Sequence, residues 1–153
     1  MSQRKAKIAK ILQDKKIVGL VEPVKIIGKK RAIETLALLD TGATRSSVDL
    51  KIAARAGLGP ITSVARIKSK TEPKGYTRRA IVAGQIEIAG VRRKVHFTLA
   101  DRLGMRYPVL VGRDVLHDGF VVDIEKTHNG FKLEDIKENV EQNARDKNKG
   151  SEA

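Results

Sequence analysis

The chain has 153 residues, of which 41% are hydrophobic and 3% aromatic, a length that suits one domain with an aliphatic core. It contains no cysteine, which excludes disulfide bonds, thiolate catalysis and cysteine-ligated zinc or iron–sulfur sites. Its formal net charge of +13 favours binding to polyanions in general, without specifying one. We expect only a weak polyanion contact through the basic surface, because the few aromatic residues form no repeated stacking platform for nucleic acid.

No apolar run is long enough to cross a bilayer, and the charged N-terminus lacks the apolar core of a signal peptide. We therefore expect a cytoplasmic protein without a membrane contact. The three histidines, His96, His117 and His128, are scattered, and no His-Glu-x-x-His pattern occurs. The sequence therefore predicts neither a metal site nor another cofactor.

Residues 1–16 form a basic N-terminal arm. Ile8, Ile11 and Leu12 have the spacing of one face of a short helix. Such an arm suits docking on a partner or a polyanion, but a frayed terminus that folding does not require is the prediction we favour.

Two strands follow the arm. Ile17–Ile27 is rich in β-branched residues, and Pro23 indicates a sheet edge or a bulge because proline has no N–H to donate. Residues 28–30 form the hairpin turn, and Ala32–Leu39 is the return strand. Its apolar end indicates burial, and it leads directly into Asp40.

The turn after this second strand reads Asp40, Thr41, Gly42 and Ala43. Glycine lets another backbone or a substrate approach closely, and the threonine hydroxyl can make a local hydrogen bond. Taken alone, the tripeptide favours a simple Asx-turn, which is a common role of Asp before Gly. The choice between a structural turn and an active-site turn therefore depends on the later sequence.

The middle of the chain predicts a short helix over Leu50–Gly57, capped by Ser47 or Asp49. Strands are predicted over Thr62–Lys68, Arg79–Ile88 and Val91–Leu99. A polar stretch between the first two of these strands is typical of a long hairpin tip or a mobile loop, and it comprises Lys70, Thr71, Glu72, Pro73, Lys74, Gly75 and Tyr76.

The last third predicts a connector over residues 101–106 and a buried strand over Tyr107–Val111. That strand ends with Leu110 and Val111, and Gly112 and Arg113 turn the chain into the next helix. A short helix over Asp114–His117 and strands over Phe120–Ile124 and Phe131–Leu133 complete the predicted elements.

These elements predict a mostly β fold with one or two short helices. We expect three parts: the basic arm of residues 1–16, a folded domain of residues 17–133, and a charged tail of residues 134–153 that is helical at best near its start.

The ordered motifs resemble those of retropepsin-like aspartic proteases, and within them the RimK-associated, RimB-like family. The motifs are Gly19-Leu20-Val21-Glu22, Asp40-Thr41-Gly42-Ala43 with Ser46 and Ser47, Arg102 with Met105, Pro108-Val109-Leu110-Val111-Gly112-Arg113, and Val122-Asp123. The resemblance implies a retropepsin-like closed β-barrel, the acid-protease half-fold, and an aspartic endopeptidase that hydrolyses peptide or protein substrates.

The resemblance also implies roles for individual residues. Asp40 would be the catalytic carboxylate, Thr41 would brace the active-site loop across a homodimer, and Gly42 would accept the substrate backbone. Val109–Gly112 would pack behind this loop, and Lys70–Tyr76 would form the flap. Because the chain holds one Asp-Thr-Gly, the second catalytic carboxylate would come from a second copy.

The sequence departs from the viral members of this group after Asp-Thr-Gly-Ala. Thr44 and Arg45 stand where a carboxylate often pairs with the arginine of the Gly-Arg element. We therefore expect Arg113 to pair with Asp114, with Asp49, or with neither. A non-catalytic basic module that docks on peptide or RNA is the alternative function, since a fold does not fix an activity.

Overall fold

The computed structural model describes residues 2–102, 104–128 and 145. The described residues include eight strands, which are β1 Lys16–Ile27, β2 Ala32–Leu39, β3 Ser47–Asp49, β4 Ile61–Lys68, β5 Tyr76–Ile88, β6 Val91–Ala100, β7 Val109–Val111 and β8 Phe120–His128. They also include the helices α1 Gln3–Gln13, α2 Leu50–Ala56 and α3 Arg113–Leu116. The expected mostly β fold is confirmed.

The strands form one sheet in the order β4-β5-β6-β3-β7-β2-β1-β8, with an additional pairing between β5 and β1. That pairing closes a ring of six strands. It arises because β5 is long: Tyr76–Val82 pairs with β4, while Gln85–Ile88 pairs with β1. The fold is therefore retropepsin-like but not a clean closed barrel, since β4 and β8 extend outside the ring.

The core fills the ring with aliphatic side chains, as the composition predicted. Phe97 is its largest fully buried side chain. The other fully buried members include Val18, Ile26, Leu39, Val48, Ile86, Val109 and Val111. Because β2 and β7 both contribute to this core, the turn that follows Leu39 starts from a rigid base.

Local sequence signals placed several elements well. The return strand β2 has the predicted bounds. Helix α2 begins after Asp49, whose side chain accepts a hydrogen bond from Lys51 N at 2.9 Å, and it ends at Gly57, which has a φ of 74°. Pro23 lies between the stretch of β1 that pairs with β8 and the stretch that pairs with β5. On that side of β1, Pro23 therefore pairs with neither β8 nor β5, while on the other side it lies opposite Leu36 of β2.

Other elements differ from the predictions. The sequence did not predict β3, which consists of three residues that pair with β6 and β7 and so depends on distant strands. Strand β7 is shorter than Tyr107–Val111, α3 begins one residue early, and β8 continues to His128. The predicted strand Phe131–Leu133 and most of the tail of residues 134–153 lie outside the described residues.

The N-terminal arm contains an ordered helix. Ser2 caps helix α1, because its hydroxyl accepts a hydrogen bond from Lys5 N at 3.2 Å, and none of the helix residues is buried. Lys16 belongs to β1 rather than to the arm. In the part of the chain that the structure describes, no helix is long and apolar enough to cross a membrane.

Deletion of residues 1–13 should leave the fold intact. Since α1 buries no side chain, we expect the melting temperature to fall by less than about 2 °C. Val18 of β1 is fully buried, so Val18→Ala should lower the free energy of unfolding by about 1–3 kcal/mol and serves as the positive control in the same thermal melts. A truncated chain that loses its cooperative transition would contradict this boundary.

Candidate active site

Asp40 lies directly after β2, in a turn held by main-chain hydrogen bonds. Its N–H donates to Val111 O at 2.8 Å, and its carbonyl accepts from Ala43 N at 3.2 Å. Gly42 N–H donates to Asp40 Oδ1 at 2.9 Å. The turn is thus an Asx-turn, as the structural alternative predicted, and it also fixes one oxygen of a half-buried carboxylate.

A second segment packs against this turn. Strand β7 runs parallel to β2, with Leu39 opposite Val111. Arg113 N–H donates to Ala43 O at 2.8 Å. A Cβ built on Gly112 would lie 2.8 Å from Arg45 O and 2.9 Å from Ala43 O, so only glycine allows the two segments to approach this closely. The structure therefore brings Leu110–Arg113 against the turn that begins at Asp40.

Ser46 and Asp114 join the two segments through their side chains. Ser46 is fully buried, and its Oγ donates to Asp114 Oδ1 at 2.7 Å while accepting from Gly112 N at 3.0 Å. Ser46 N also donates to Asp114 Oδ2 at 3.0 Å. Sequence reasoning noted Ser46 as part of a motif but missed this link, because 68 residues separate the partners.

Of the three expected alternatives for Arg113, the described residues favour the last, in which it pairs with neither Asp114 nor Asp49. Its Nη2 donates to Thr44 Oγ1 at 3.1 Å. Asp114 instead accepts from Ser46, and Asp49 accepts from Lys51 N at 2.9 Å and Arg102 N at 2.8 Å. Because both carboxylates serve other donors, a neutral hydroxyl takes the position of an acidic partner for Arg113.

The predicted flap region lies at the end of the β4–β5 hairpin. Residues 70–75 form the exposed loop, which closes with a hydrogen bond from Ser69 N to Gly75 O at 3.1 Å. Tyr76 belongs to β5 rather than to the loop, and the Arg66 guanidinium lies 4.7 Å from the centre of its ring. This cation–π contact stiffens the base of the hairpin tip.

A cavity of about 500 Å³ separates β4 from the segment that follows Asp40. It is lined by Thr44, Arg45, Ser47, Val64, Ala65, Arg66, Ile67 and Thr98. Asp40 is not among these lining residues. Both ionisable groups in the lining are arginines, so the cleft carries positive charge.

Arg102 anchors the connector between β6 and β7. Its Nε donates to Tyr107 O at 3.3 Å, and its N–H donates to Asp49. Burial and the nearby Arg79 guanidinium lower the pKa of Arg102, and the Asp49 carboxylate partly offsets this effect. Sequence reasoning listed Arg102 as a motif residue without finding this contact.

The histidines do not come together with other ligands. His96 Nδ1 lies 3.3 Å from Thr62 Oγ1, and His117 Nδ1 lies 2.9 Å from Arg113 O. Within residues 2–102, 104–128 and 145, no group of three histidine, aspartate or glutamate side chains is placed to hold a metal ion.

The substitution Ser46→Ala should destabilise the fold. It leaves the buried Gly112 N–H without its side-chain acceptor, so we expect the free energy of unfolding to fall by about 1–3 kcal/mol. Ser63→Ala, at an exposed position on β4, is the matched control and should change this free energy by less than about 0.5 kcal/mol. Equal denaturation midpoints for the two variants would show that the Ser46 link contributes little.

Comparisons with known proteins agree with this architecture. A family model described as RimB-like, "Retropepsin-like aspartic endopeptidase RimB", matches residues 51–129, a span that includes β7 and Arg113 but begins after Asp40. No curated protein matches the chain.

Two solved structures have a similar fold. A protein of unknown function from Legionella pneumophila subsp. pneumophila str. Philadelphia 1 is 23% identical, with a TM-score of 0.52 over 74% of this chain and 96% of its own. The EIAV protease complexed with the inhibitor HBY-793 is also 23% identical, with a TM-score of 0.50 over 64% of this chain and 85% of its own. With a retropepsin-like fold and a family match over half its length, the chain belongs to the RimB-like family of retropepsin-like aspartic endopeptidases.

Proposed function

We propose that this protein is an aspartic endopeptidase that hydrolyses peptide bonds with a water molecule activated by two Asp40 carboxylates, one from each subunit of a homodimer. The observation that carries the proposal is the Asp40 turn itself. It fixes one carboxylate oxygen through Gly42 N–H and rests on Val111 through the main chain. A carboxylate in such a rigid turn is pre-organised for acid–base chemistry.

The chemistry requires two carboxylates about 3 Å apart that share one proton. Two like charges at that distance cannot both ionise, so one carboxylate is the base and the other the acid. The base takes a proton from water, whose oxygen attacks the scissile carbonyl carbon, while the acid donates a proton to the carbonyl oxygen. The C–N bond then breaks as the amine nitrogen takes up a proton.

The surface around Asp40 supports assembly of the site from two chains. Thr41 and Gly42 are exposed beside the half-buried carboxylate, so a second copy can approach the turn. One chain supplies one Asp-Thr-Gly, and a two-fold axis through this turn would place the two Asp40 side chains face to face. The same axis would join the clefts of the two subunits next to the catalytic pair.

The cleft supports binding of an extended peptide under the β4–β5 hairpin. Residues 70–76 at the hairpin tip would serve as the flap that excludes water during the reaction. Arg45 and Arg66 line the cleft, and neither has an acidic partner in the hydrogen bonds and ion pairs of the described residues. Their charge favours substrates with acidic side chains near the scissile bond.

The substitution Asp40→Asn should abolish peptidase activity and preserve the fold, because the amide is nearly isosteric but can neither share the dyad proton nor act as a base. Asp101→Asn, at an exposed carboxylate, is the matched control and should keep wild-type activity. The measurement is cleavage of a fluorogenic peptide, together with a thermal melt. The wild-type rate should have a bell-shaped pH profile, since activity requires one proton on the pair.

Mixing the two kinds of subunit tests the shared site. If an equal amount of Asp40→Asn chain is added and the subunits exchange, only about half of the wild-type subunits remain paired with each other. Activity should then fall to about half. An unchanged rate after proven exchange, or full activity of Asp40→Asn itself, would contradict the dyad and favour the docking-module alternative.

The positive charge of the cleft predicts a preference for peptides with acidic side chains. Arg45→Glu should lower kcat/KM for a peptide with acidic side chains by about tenfold and lower it less for a matched amide peptide. Arg31→Glu, an exposed arginine outside the cleft lining, makes the same change in net charge and serves as the control. Equal effects of the two variants would show that net charge, not the cleft, determines substrate preference.

A further inference from the structure

A second cavity lies where the β1–β2 turn, the end of α2 and the middle of β5 and β6 meet. Its volume is about 390 Å³, and its lining includes Gly28, Gly57, Gly59 and Gly84. We call it the glycine pocket. Asp40 is not among its lining residues, and the mechanism proposed above does not use it. Its volume is nevertheless in the range of pockets that bind ligands.

Missing side chains give the glycine pocket its depth. A Cβ built on Gly84 would lie 2.7 Å from Leu58 Cδ2, so a larger residue there would push against its neighbour. Apart from its chain neighbours, no atom lies within 4 Å of the Cβ position of Gly59, so the space beside this residue is open. Ala83 and Val95 also line the pocket. The floor thus consists of main chain and short aliphatic side chains, which suits an apolar side chain of a ligand.

The rim of the glycine pocket is positively charged. Lys29 and Lys94 line it, and both are exposed. Other cations of this sheet are paired, since Lys25 Nζ lies 3.6 Å and Arg92 Nε 3.4 Å from a carboxylate oxygen of Glu87. In the part of the chain that the structure describes, neither Lys29 nor Lys94 has an acidic partner. The rim can therefore bind a carboxylate that these residues do not supply.

His96 follows Lys94 on the same face of β6 and offers a hydrogen-bond acceptor. Thr62 Oγ1 donates to Ile81 O at 3.3 Å and lies 3.3 Å from His96 Nδ1. Because the hydroxyl hydrogen is directed to Ile81, the hydroxyl oxygen accepts from His96, and Nδ1 carries the proton of the neutral ring. The other ring nitrogen, Nε2, is then an acceptor that can bind a main-chain N–H of a peptide.

A row of cavities connects the glycine pocket with the cleft. Lys94 and His96 also line a cavity of about 390 Å³ that extends to Arg45. Arg45 and Thr98 in turn line the cleft. Thr98 and Lys94 are four residues apart on β6, a distance of about 14 Å. Since an extended peptide has a similar rise per residue, about four further residues lead from the cleft to the glycine pocket.

We propose that the glycine pocket is a distal subsite, which binds an apolar side chain of a peptide about four residues beyond the cleft. Lys29 and Lys94 bind an acidic residue next to it, because neighbouring side chains of an extended peptide point to opposite sides. This inference rests on the proposed function, in which the cleft binds the substrate. The substrate class is then a peptide in which acidic and apolar residues alternate at a distance from the scissile bond.

Other ligands fit the glycine pocket less well. A single-stranded nucleic acid could pair its phosphates with the lysines. Among the described residues that line the pocket, however, there is no phenylalanine, tyrosine or tryptophan on which its bases could stack. A metal ion would find one histidine and no carboxylate among the same residues. A peptide with both acidic and apolar side chains uses the rim and the floor together.

Amide chemical shifts of the isotope-labelled, full-length Asp40→Asn chain test the binding without cleavage. The probe is acetyl-Glu-Leu-Glu-Leu-Glu-amide at millimolar concentration, and the matched control peptide has glutamine in place of each glutamate. We expect the acidic peptide to shift the signals of Gly57, Gly59 and Gly84 and to bind about fivefold more tightly than the control. Unchanged signals of these glycines, or larger shifts with an oligouridylate, would overturn the proposal.

Substitutions at the rim and the floor provide a second test. Lys94→Glu should weaken binding of the acidic peptide about fivefold. Lys7→Glu makes the same charge change on exposed α1 and should weaken it by less than about twofold. Ala83→Leu, at a half-buried position of the lining, should fill the pocket and remove the glycine shifts at an unchanged melting temperature. Equal effects of the two lysine variants would show that net charge, not the pocket, attracts the peptide.

Kinetics test the link between the glycine pocket and the cleft. Addition of Glu-Leu-Glu-Leu to one end or the other of a cleaved fluorogenic peptide should lower KM about fivefold for at least one extended peptide. Lys94→Glu should cancel this gain, whereas Lys7→Glu should keep it. Cleavage without any gain from either extension would overturn the distal subsite and leave the proposed function standing. If no peptide is cleaved but the glycine shifts appear, the proposed function fails and the glycine pocket stands as a peptide site.

Discussion

The close contact between the Asp40 turn and the segment around Gly112 is the constraint on which the site depends. The two segments lie so near each other that a single methyl group on Gly112 would overlap carbonyl oxygens of Ala43 and Arg45. At that distance, main-chain donors and acceptors satisfy one another, and Ser46 fills the remaining space with a buried hydroxyl that serves both segments. The position of Asp40 is consequently set by backbone geometry, which side-chain motion changes little.

The same contact explains how this chain can carry a neutral residue at position 44. In this chain Arg113 donates to a threonine hydroxyl, so its guanidinium does not hold the turn through a buried ion pair. The acidic contribution comes from Asp114, whose carboxylate accepts from Ser46 and from Val115 N–H. The carboxylate that joins the two segments therefore lies on the second segment, next to Arg113, and accepts from Ser46 on the first.

Sequence reasoning succeeded where a local signal determines the structure. Helix α2 could be placed because Asp49 and Gly57 cap it, and β2 because its apolar run ends in a turn signal. It failed where contacts with residues far along the chain determine the local structure. Strand β3 exists because β6 and β7 lie on its two sides, and the partner of Arg113 depended on Ser46 already occupying Asp114. The candidate site could be located from Asp-Thr-Gly and Gly-Arg, but the hydrogen bonds that join them could not.

Because β5 is long, the β4–β5 hairpin projects from the sheet and is anchored at one end only. From Ile81 onward β5 is held by β6, and from Gln85 by β1 as well, whereas Tyr76–Ala80 is paired with β4 alone. The free arm is therefore about 17 Å long, with its root at the buried Ile81. A small change of twist at that root becomes a large displacement at the tip. The distance between the hairpin tip and the cleft below it is therefore set by the packing around Ile81 in the core, far from the cleft-lining residues of β4.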